Sequence, residues 1–397
     1  MAHAFSRKYA IVGLGVLAGR FPERSPRTLE VEAARLAIED AGLRRQDIDG
    51  AINTRIESGS GESHGWTDSF ARILSLPTKF YFTVQRGGAM THLAIVAAAQ
   101  LLDLGIAKYV VIGYGANDWS STRDRSEGRG QRHVERAGLW GRPHGDLAAA
   151  SHHSFFASRH MHEFGTTSEQ LGTVAVSHRQ WAMLNPDAQM HSRPITLEDY
   201  MSSPILVEPY RMLDCCLVSD SGAAFVMTTA ERARDLPKPP VYVLGVGFGE
   251  AMQQLWWDKQ NYTHLAVDSA KEAAFGQADL GLQDVDVAEL YDCFTMEVIL
   301  QLEGYGWCGV GEGGPFVASG AIAPGGKLPV NTGGGLLSCH YMADWTPFTE
   351  AVIQLRGEGG ERQVPGAKVG LVSGHGGEIL RPGMCSIHST LLLGTEA

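Results

Sequence analysis

The sequence lacks the features that mark secreted, membrane-spanning and nucleic-acid-binding proteins. None of its six cysteines stands in a Cys-x-x-Cys pair, which favours reduced thiols over a disulfide or zinc framework. No apolar run approaches the roughly 20 residues of a membrane span, and the N-terminal residues do not have the pattern of a signal peptide. The formal net charge is −11 and the sequence has no cluster of Lys and Arg, so it lacks the basic patch typical of nucleic-acid-binding proteins. We therefore expect a cytoplasmic protein.

The composition is instead that of a well-packed enzyme. The chain has 397 residues, of which 44% are hydrophobic and 19% charged, which excludes a disordered or fibrous protein. One ordinary hydrophobic core serves about 100–200 residues. We therefore expect two domains or a duplicated one.

Short apolar runs alternate with helical patterns in the first part of the chain. Residues 8–15, 47–54 and 108–115 predict buried strands, and residues 28–42 and 89–104 predict helices. Thr28 is the predicted N-cap of the first helix and Gly42 its stop. Strands that alternate with helices indicate a parallel sheet covered on both faces.

The same order of elements returns after residue 240. The second set comprises predicted strands at 241–247, 284–290 and 367–376 and predicted helices at 267–281 and 342–355. The sequence therefore predicts two α/β halves, 1–115 and 241–397. Residues 116–240 are predicted to form an inserted loop region together with the end of the first half.

The inserted region is rich in histidine. The histidines are His133, His144, His152, His153, His160, His162, His178 and His191. Their spacing does not match a known metal motif, so we interpret them as solvated loop and helix residues and predict no metal. The glycines at Gly13, Gly15 and Gly19 suggest a dinucleotide-binding loop, but Pro22 and Pro26 interrupt the helix that such a loop requires.

Three glycine-flanked turns are candidate binding elements. They lie at residues 84–91, 331–341 and 373–378, and the first two precede corresponding helices of the two halves. Backbone N–H groups at the start of a helix attract negative charge. Two such turns related by internal duplication are expected to meet at one central place.

Several motifs resemble the sterol carrier protein and lipid-transfer-protein branch of the thiolase superfamily. They lie at residues 160–171, 185–190, 219–224, 291–297 and 331–338, and the resemblance extends over essentially the whole chain. The resemblance implies a thiolase-like, duplicated, five-layered αβαβα fold with an inserted loop domain. It also implies a homodimer and acyl-CoA substrates, with coenzyme A as part of the substrate and no covalently bound cofactor.

The chain departs from the family at its catalytic positions. Gly88 stands where the family has its nucleophilic cysteine, and Tyr291 where it has a catalytic His or Asn. Tyr341 falls on the histidine of the family's Gly-His-Pro motif, with His340 on the glycine. The family's last Cys or His, near residues 371–373, has no equivalent. Without a thiolate, Claisen chemistry through an acyl-enzyme is not expected.

Two phenols at former catalytic positions suit acid–base cleavage of a carbon–carbon bond. This pattern resembles the cysteine-lacking aldolases of bacterial steroid side-chain degradation. The resemblance implies retro-aldol cleavage of a β-hydroxyacyl-CoA with a tertiary 17-hydroxyl, giving a 17-keto steroid and propionyl-CoA. It further implies a small partner protein with an OB-fold and a zinc ribbon.

We predict that Tyr291 is the base and Tyr341 the acid or enolate donor, with the reverse assignment open. Gly88 and His375 are the predicted supporting groups for the enolate oxygen, and the missing side chain of Gly88 is expected to leave room for a bulky substrate. His340 either orients Tyr341 or is structural.

Three other residues near the tyrosines have alternative interpretations. Asp292 either tunes Tyr291 or caps the following helix. Cys293 and Cys339 are interpreted as packing residues rather than nucleophiles. Two other functions stay open from the sequence, a non-catalytic acyl-CoA- or lipid-binding subunit and an atypical acyl-CoA acyltransferase.

Overall fold

Two sheet halves with the same strand order form the centre of the molecule. The structure, a computed structural model, describes residues 5–55, 69–123, 149–250, 266–376 and 387–397, so His133 and His144 lie outside the described residues. The strands are β1 Tyr9–Gly19, β2 Gly50–Asn53, β3 Tyr81–Thr83, β4 Val110–Asn117, β5 Ile205–Val207, β6 Tyr210–Arg211, β7 Asp220–Thr229, β8 Val241–Glu250, β9 Val287–Glu289, β10 Val369–Gly376 and β11 Ile387–Gly394. Nine of them pair in the order β3-β2-β4-β7-β1-β8-β11-β10-β9, and β5 pairs with β6.

The strand directions reveal the duplication predicted from the sequence. In the first half β2 and β4 are parallel, and β7 runs antiparallel to both β4 and β1. In the second half β9 and β10 are parallel, and β11 runs antiparallel to both β10 and β8. The two sheet halves join through two residue pairs between β1 and β8, Ala10 with Tyr242 and Ile11 with Val241.

The prediction of a parallel sheet is wrong, because each half contains one antiparallel strand. That strand is β7 in the first half and β11 in the second. Each is an apolar strand without a helical crossover of its own, so the alternation of strand and helix patterns did not reveal it.

The helices complete five layers. They are α1 Pro26–Asp40, α2 Phe70–Ile73, α3 Met90–Asp103, α4 Asp118–Arg123, α5 Ala149–Phe164, α6 Ser168–Met183, α7 Leu197–Ser202, α8 Ala230–Ala233, α9 Val267–Ala278, α10 Thr295–Tyr305, α11 Gly313–Ala318 and α12 Trp345–Leu355. Helix α1 packs on β1, β4 and β7, and α9 packs on β8 and β11. Helices α3 and α12 each contact strands of both halves. The layers are therefore α1, the first sheet half, α3 with α12, the second sheet half, and α9, as predicted.

The N-cap of α1 lies three residues before the predicted cap. The Ser25 side chain accepts a hydrogen bond from the Thr28 backbone N–H, and Pro26 occupies the first helical position, where its missing donor costs nothing. Ser25 is therefore the N-cap, and the prediction of Thr28 is wrong. Gly42, just after the helix, has a φ of +70°, which fits the predicted stop.

Paired glycines bring each outer helix against its strand. A Cβ atom at Gly13 or Gly15 of β1 would overlap a backbone oxygen of α1, and one at Gly245 or Gly247 of β8 would overlap a backbone oxygen of α9. The glycines of β1 thus serve close helix packing and not a dinucleotide. Among the described residues, no helix is long and apolar enough to cross a membrane.

Candidate active site

Tyr291 and Tyr341 lie at the ends of two elements that converge at the centre. Tyr291 follows β9, and its backbone N–H donates to Ser373 Oγ of β10 at 2.8 Å. Tyr341 follows a turn of π-helix at Gly335–Cys339, and its backbone N–H donates to Ser219 Oγ at 2.9 Å. Tyr291 is buried and Tyr341 partly exposed. Neighbouring elements therefore fix the backbone of both residues.

The two phenols interact directly with each other. Desolvation raises the pKa of each above its usual value near 10. Their mutual interaction raises the pKa of Tyr291 further and acts to lower that of Tyr341. The pair is thus asymmetric, with Tyr341 better suited to lose its proton.

Gly88 lies against Tyr291 and the backbone of β10. A Cβ atom at Gly88 would overlap the carbonyl oxygen of His375 and lie 2.7 Å from Tyr291 Cε2. The prediction that Gly88 leaves open room for the substrate is therefore wrong. The space beside its Cα is occupied by the chain itself, because a glycine at this position lets the loop before α3 lie directly on β10.

His375 faces the same region from β10. It is fully buried, and its ring centre lies 6.1 Å from that of Tyr291. Neither of its ring nitrogens bonds to a side chain in the described part of the chain. Burial holds the pKa of His375 well below its usual value, so the ring is neutral at physiological pH. The structure thus brings Gly88, Tyr291 and His375 together, as the sequence analysis expected of the site.

His340 lies elsewhere. The backbone at His340 is extended, so its side chain points to the opposite side from that of Tyr341. Its Nδ1 lies 3.1 Å from Cys339 Sγ. Both residues line a separate cavity of about 300 Å³, together with Glu289, Glu350, Arg362 and Asn185. This placement fits the structural alternative for His340 rather than a contact with the Tyr341 phenol.

Asp292 joins the segments that carry the two tyrosines. Its Oδ1 accepts a hydrogen bond from the Leu336 N–H at 2.8 Å, and its Oδ2 accepts one from the Leu337 N–H at 3.2 Å. His178 Nδ1 of α6 lies 2.9 Å from the same Oδ2. The interpretation of Asp292 as the cap of the following helix is wrong, because Phe294 is the N-cap of α10 and, among the described residues, no side chain caps it. Asp292 satisfies amides of the turn before Tyr341, and the sequence carried no signal for this long-range contact.

Asn331 makes a second link between these segments. Its side-chain oxygen accepts from the Leu290 N–H at 2.6 Å, and its side-chain amide donates to the Leu290 carbonyl at 2.9 Å. Asn331 has a φ of +52°, a conformation that asparagine tolerates better than most residues. The residue before Tyr291 is thus bonded to the start of the turn that leads to Tyr341.

Three of the inserted histidines are buried and not solvated. His153 pairs with Glu297, His160 Nε2 lies 3.1 Å from Glu303, and His178 pairs with Asp292. The prediction of exposed residues is wrong for these three, because each carboxylate partner lies more than a hundred residues away in the sequence. His162, by contrast, is exposed as predicted.

One group of buried side chains has the donor types that zinc accepts. Ligand atoms of His153, Cys293 and Glu297 lie within 4.8 Å of one another. His153 and Glu297 are already hydrogen-bonded to each other. This direct pair satisfies the buried carboxylate without an ion.

The buried neutral histidines make stability depend on pH. Burial lowers the pKa of His388 to about 3, whereas an unfolded histidine titrates near 6.5. The unfolded state therefore binds more protons below pH 6.5, and the contribution of His388 to stability is lost as the pH falls. Between pH 6.5 and 5 this loss is about 2 kcal/mol.

His388→Gln removes the titration and retains a side-chain partner for Tyr305, whose hydroxyl lies 2.9 Å from His388 Nε2. Urea unfolding at pH 6.5 and 5 should show a loss of stability about 2 kcal/mol smaller in the variant than in the unmodified chain. Carboxyl groups such as Asp344, whose pKa burial raises to about 7, are present in both proteins. Their contributions to the pH dependence therefore cancel in the comparison. His162→Gln is the exposed control, and an equal loss in both proteins would contradict the prediction.

Comparisons with characterised proteins identify the family of the chain. The chain is 37% identical over 361 residues to a steroid side-chain-cleaving aldolase of Thermomonospora curvata, covering 88% of this chain and 90% of the relative. It is 34% identical to the 17-hydroxy-3-oxo-4-pregnene-20-carboxyl-CoA lyase of Mycobacterium tuberculosis, covering 89% and 92% of the two chains. The family described as thiolase C-terminal domain-like matches residues 249–395.

Solved structures give the same result for the fold. An Ltp2-ChsH2(DUF35) aldolase superposes with a TM-score of 0.85 at 34% identity, covering 98% of both chains. Human mitochondrial 3-ketoacyl-CoA thiolase superposes with a TM-score of 0.71 at 14% identity, covering 99% of this chain and all of the other. At that identity the second likeness concerns the fold alone.

Proposed function

This chain belongs to the steroid side-chain-cleaving aldolases of the thiolase superfamily, and we propose that it cleaves a 17-hydroxy steroid side-chain CoA thioester by acid–base catalysis. The substrate is a β-hydroxyacyl-CoA, and the products are a 17-keto steroid and propionyl-CoA. The observation that carries the mechanism is the pair of interacting phenols, Tyr291 and Tyr341, beside a glycine where thiolases have their nucleophile.

Covalent catalysis by a thiolate has little support at this site. Gly88 has no side chain, and the atoms around it leave no space for one. Cys339 is buried, and desolvation raises the pKa of its thiol well above the usual range. Desolvation likewise raises the pKa of Cys215 to about 12. A thiol held in its protonated form is a poor nucleophile.

The asymmetry of the phenol pair supports Tyr341 as the base. Tyr341 takes the proton of the 17-hydroxyl, and the oxygen electrons form the 17-keto group. The carbon–carbon bond breaks, and its electrons enter the thioester carbonyl to give an enolate. Protonation of the enolate carbon then yields propionyl-CoA. Tyr291 interacts with Tyr341, and we assign to it the stabilisation of the phenolate form of the base and the role of the acid.

The enolate oxygen requires hydrogen-bond donors aimed at it. A donor of this kind is typically worth about 3–4 kcal/mol in the transition state. We assign this role to the neutral His375 ring, which is buried next to Tyr291, and to the backbone N–H of Gly88. Coenzyme A enters as part of the substrate, and the proposal requires no covalently bound cofactor.

We also propose a cytoplasmic homodimer that assembles with a small OB-fold and zinc-ribbon protein. One solved relative is an Ltp2-ChsH2(DUF35) aldolase, which supports a two-component enzyme. The assay below is therefore run with and without such a partner. Activity only in its presence would make the partner obligatory, whereas substrate binding without turnover in both cases would favour a non-catalytic subunit.

The chemistry can be tested by mass balance with the 17-hydroxy steroid side-chain CoA thioester. We expect equal amounts of 17-keto steroid and propionyl-CoA, no acyl adduct on the intact protein, and an unchanged chemical step after alkylation of accessible thiols. Liquid chromatography and mass spectrometry measure all three. A stable acyl adduct on Cys293 or Cys339 would overturn the non-covalent mechanism and favour an acyltransferase.

A further inference from the structure

A phenol that serves as a base must carry negative charge in a desolvated site. The titratable groups whose charge reaches Tyr341 include two thiols, Cys216 and Cys293, and two phenols, Tyr114 and Tyr291. None of these four carries positive charge in either protonation state. Arg55, two residues after β2, is a cation whose charge interacts with Tyr341.

We propose that Arg55, acting through Tyr114, is a positioning residue that stabilises the negative charge of the Tyr341 phenolate before it accepts the substrate proton. The inference rests on the proposed function and extends it to two residues outside the phenol pair. It adds an arginine–tyrosine pair to the two phenols of the site.

Arg55 is held on Tyr114 by direct contacts. Its Nη1 donates to Tyr114 Oη at 2.6 Å, and its Nη2 donates to Asp118 Oδ1 at 2.7 Å. The guanidinium carbon lies 5.5 Å from the centre of the Tyr114 ring. Strands β2 and β4 are parallel neighbours, with Asn53 paired to Gly113, so the chain beyond β2 passes beside the next residue of β4, Tyr114.

Trp345 connects this pair to the segment that carries Tyr341. Its indole N–H donates to Thr54 Oγ1 at 3.0 Å, and its ring centre lies 6.0 Å from that of Tyr114. Trp345 begins α12, four residues after Tyr341. Thr54 directly precedes Arg55. The Trp345 indole therefore lies beside Tyr114 and is hydrogen-bonded to the residue next to Arg55.

The start of β7 provides a second connection. Ser219, which accepts the hydrogen bond from the Tyr341 N–H, precedes β7 directly. Asp220 of β7 pairs with Asn117 at the end of β4, the strand that carries Tyr114. These two contacts hold the backbone of Tyr341 near the C-terminal end of β4, the strand that carries Tyr114.

The charges around Tyr114 have a defined sign. Tyr114 is fully buried, and desolvation raises its pKa to about 12, while the Arg55 charge acts in the lowering direction. Asp118 and Asp344 act in the raising direction. Asp118 is itself paired with Arg55, so it orients the guanidinium group, whose other nitrogen donates to the phenol. A cation near a phenol favours the phenolate form.

The test compares Arg55→Met, Arg55→Lys and Tyr114→Phe with the unmodified chain, in the presence of any partner that it requires. For Arg55→Met we expect a roughly 10- to 100-fold lower cleavage rate at pH 7, and the rise of the rate with pH should be displaced upward by about one to two pH units, because a nearby opposite charge shifts a pKa by that amount. Arg55→Lys retains the charge and should recover part of both effects. Tyr114→Phe should shift the profile in the same direction.

Controls separate charge from folding. Arg44→Met removes an exposed guanidinium group that pairs with Asp47 and should leave the profile unchanged. In a Tyr341→Phe background, Arg55→Met should cause no further loss, because the charge that it holds is gone. Substrate binding and the thermal unfolding midpoint establish that each variant is folded, and if Arg55→Met does not fold, Tyr114→Phe and Arg55→Lys carry the test.

The outcomes distinguish this inference from the proposed function. Full activity of Tyr341→Phe would overturn both. Loss of activity in Tyr341→Phe, with an unshifted pH profile in the Arg55 and Tyr114 variants, would overturn only the role of Arg55. A further loss from Arg55→Met in the Tyr341→Phe background would also overturn it, because the residue would then act independently of the base.

Discussion

Tyr291→Phe and Tyr341→Phe are each expected to lower kcat for carbon–carbon cleavage roughly 10²–10⁴-fold. The substitution keeps the aromatic ring and its packing and removes only the hydroxyl that donates or accepts the proton. Because the two hydroxyls are proposed to act as one unit, the double variant should be little worse than the worse single variant. Single-turnover assays with the CoA thioester measure the chemical step.

The pH profile distinguishes the roles of the two tyrosines. With Tyr341 as the base, the cleavage rate rises with pH, because desolvation raises its pKa and only the phenolate fraction reacts. Tyr341→Phe should abolish this rise. Tyr109→Phe, at a partly buried tyrosine just before β4, is the matched control. Near-normal turnover in both single variants at the site would contradict the assignment.

Gly88→Ala is expected to abolish most of the activity even though it adds only a methyl group. The new Cβ atom would overlap the His375 carbonyl oxygen, so the loop before α3 and β10 must separate. Overpacking of this kind costs about 1–3 kcal/mol of stability. The separation also displaces Tyr291 from its partner, and errors of about 1 Å can cost roughly 10²-fold in rate.

Gly88→Cys tests whether the chain is a thiolase that has lost its nucleophile. We expect no acyl transfer, because Tyr341 stands where thiolases have the histidine that assists the thiol. Gly87→Ala is the matched control, since no atom of the described residues lies within 4 Å of the position of its Cβ, although its φ of +51° makes some strain unavoidable. Intact cleavage together with measurable acyl transfer in Gly88→Cys would contradict the aldolase assignment.

Local patterns in the sequence predicted most of the elements and the central residues. The ten strands and helices predicted for the two halves all form, because each combines an apolar run or an amphipathic period with its own stop signal. The position of Gly88 followed from register along the helix after it. That register could not show that β10 packs directly against Gly88, because this contact depends on tertiary packing.

The residues that the sequence analysis misjudged depend on distant partners. His178 and Asp292 are 114 residues apart, and His153 and Glu297 are 144 apart. A single sequence shows neither pair, so the histidines were assigned to the surface and Asp292 to a local cap. Arg55 and Tyr114 were missed for the same reason, since 59 residues separate them and only the pairing of β2 with β4 brings them together.

The placement of α3 and α12 has a consequence for how the molecule folds. Each helix belongs to one repeat in the sequence but packs on strands of both, while β1 and β8 share only two paired residues. Either repeat alone would leave one face of its inner helix without a partner, so neither has a complete core. The cooperative unit is therefore the whole chain, and the duplication does not provide two independent folding modules.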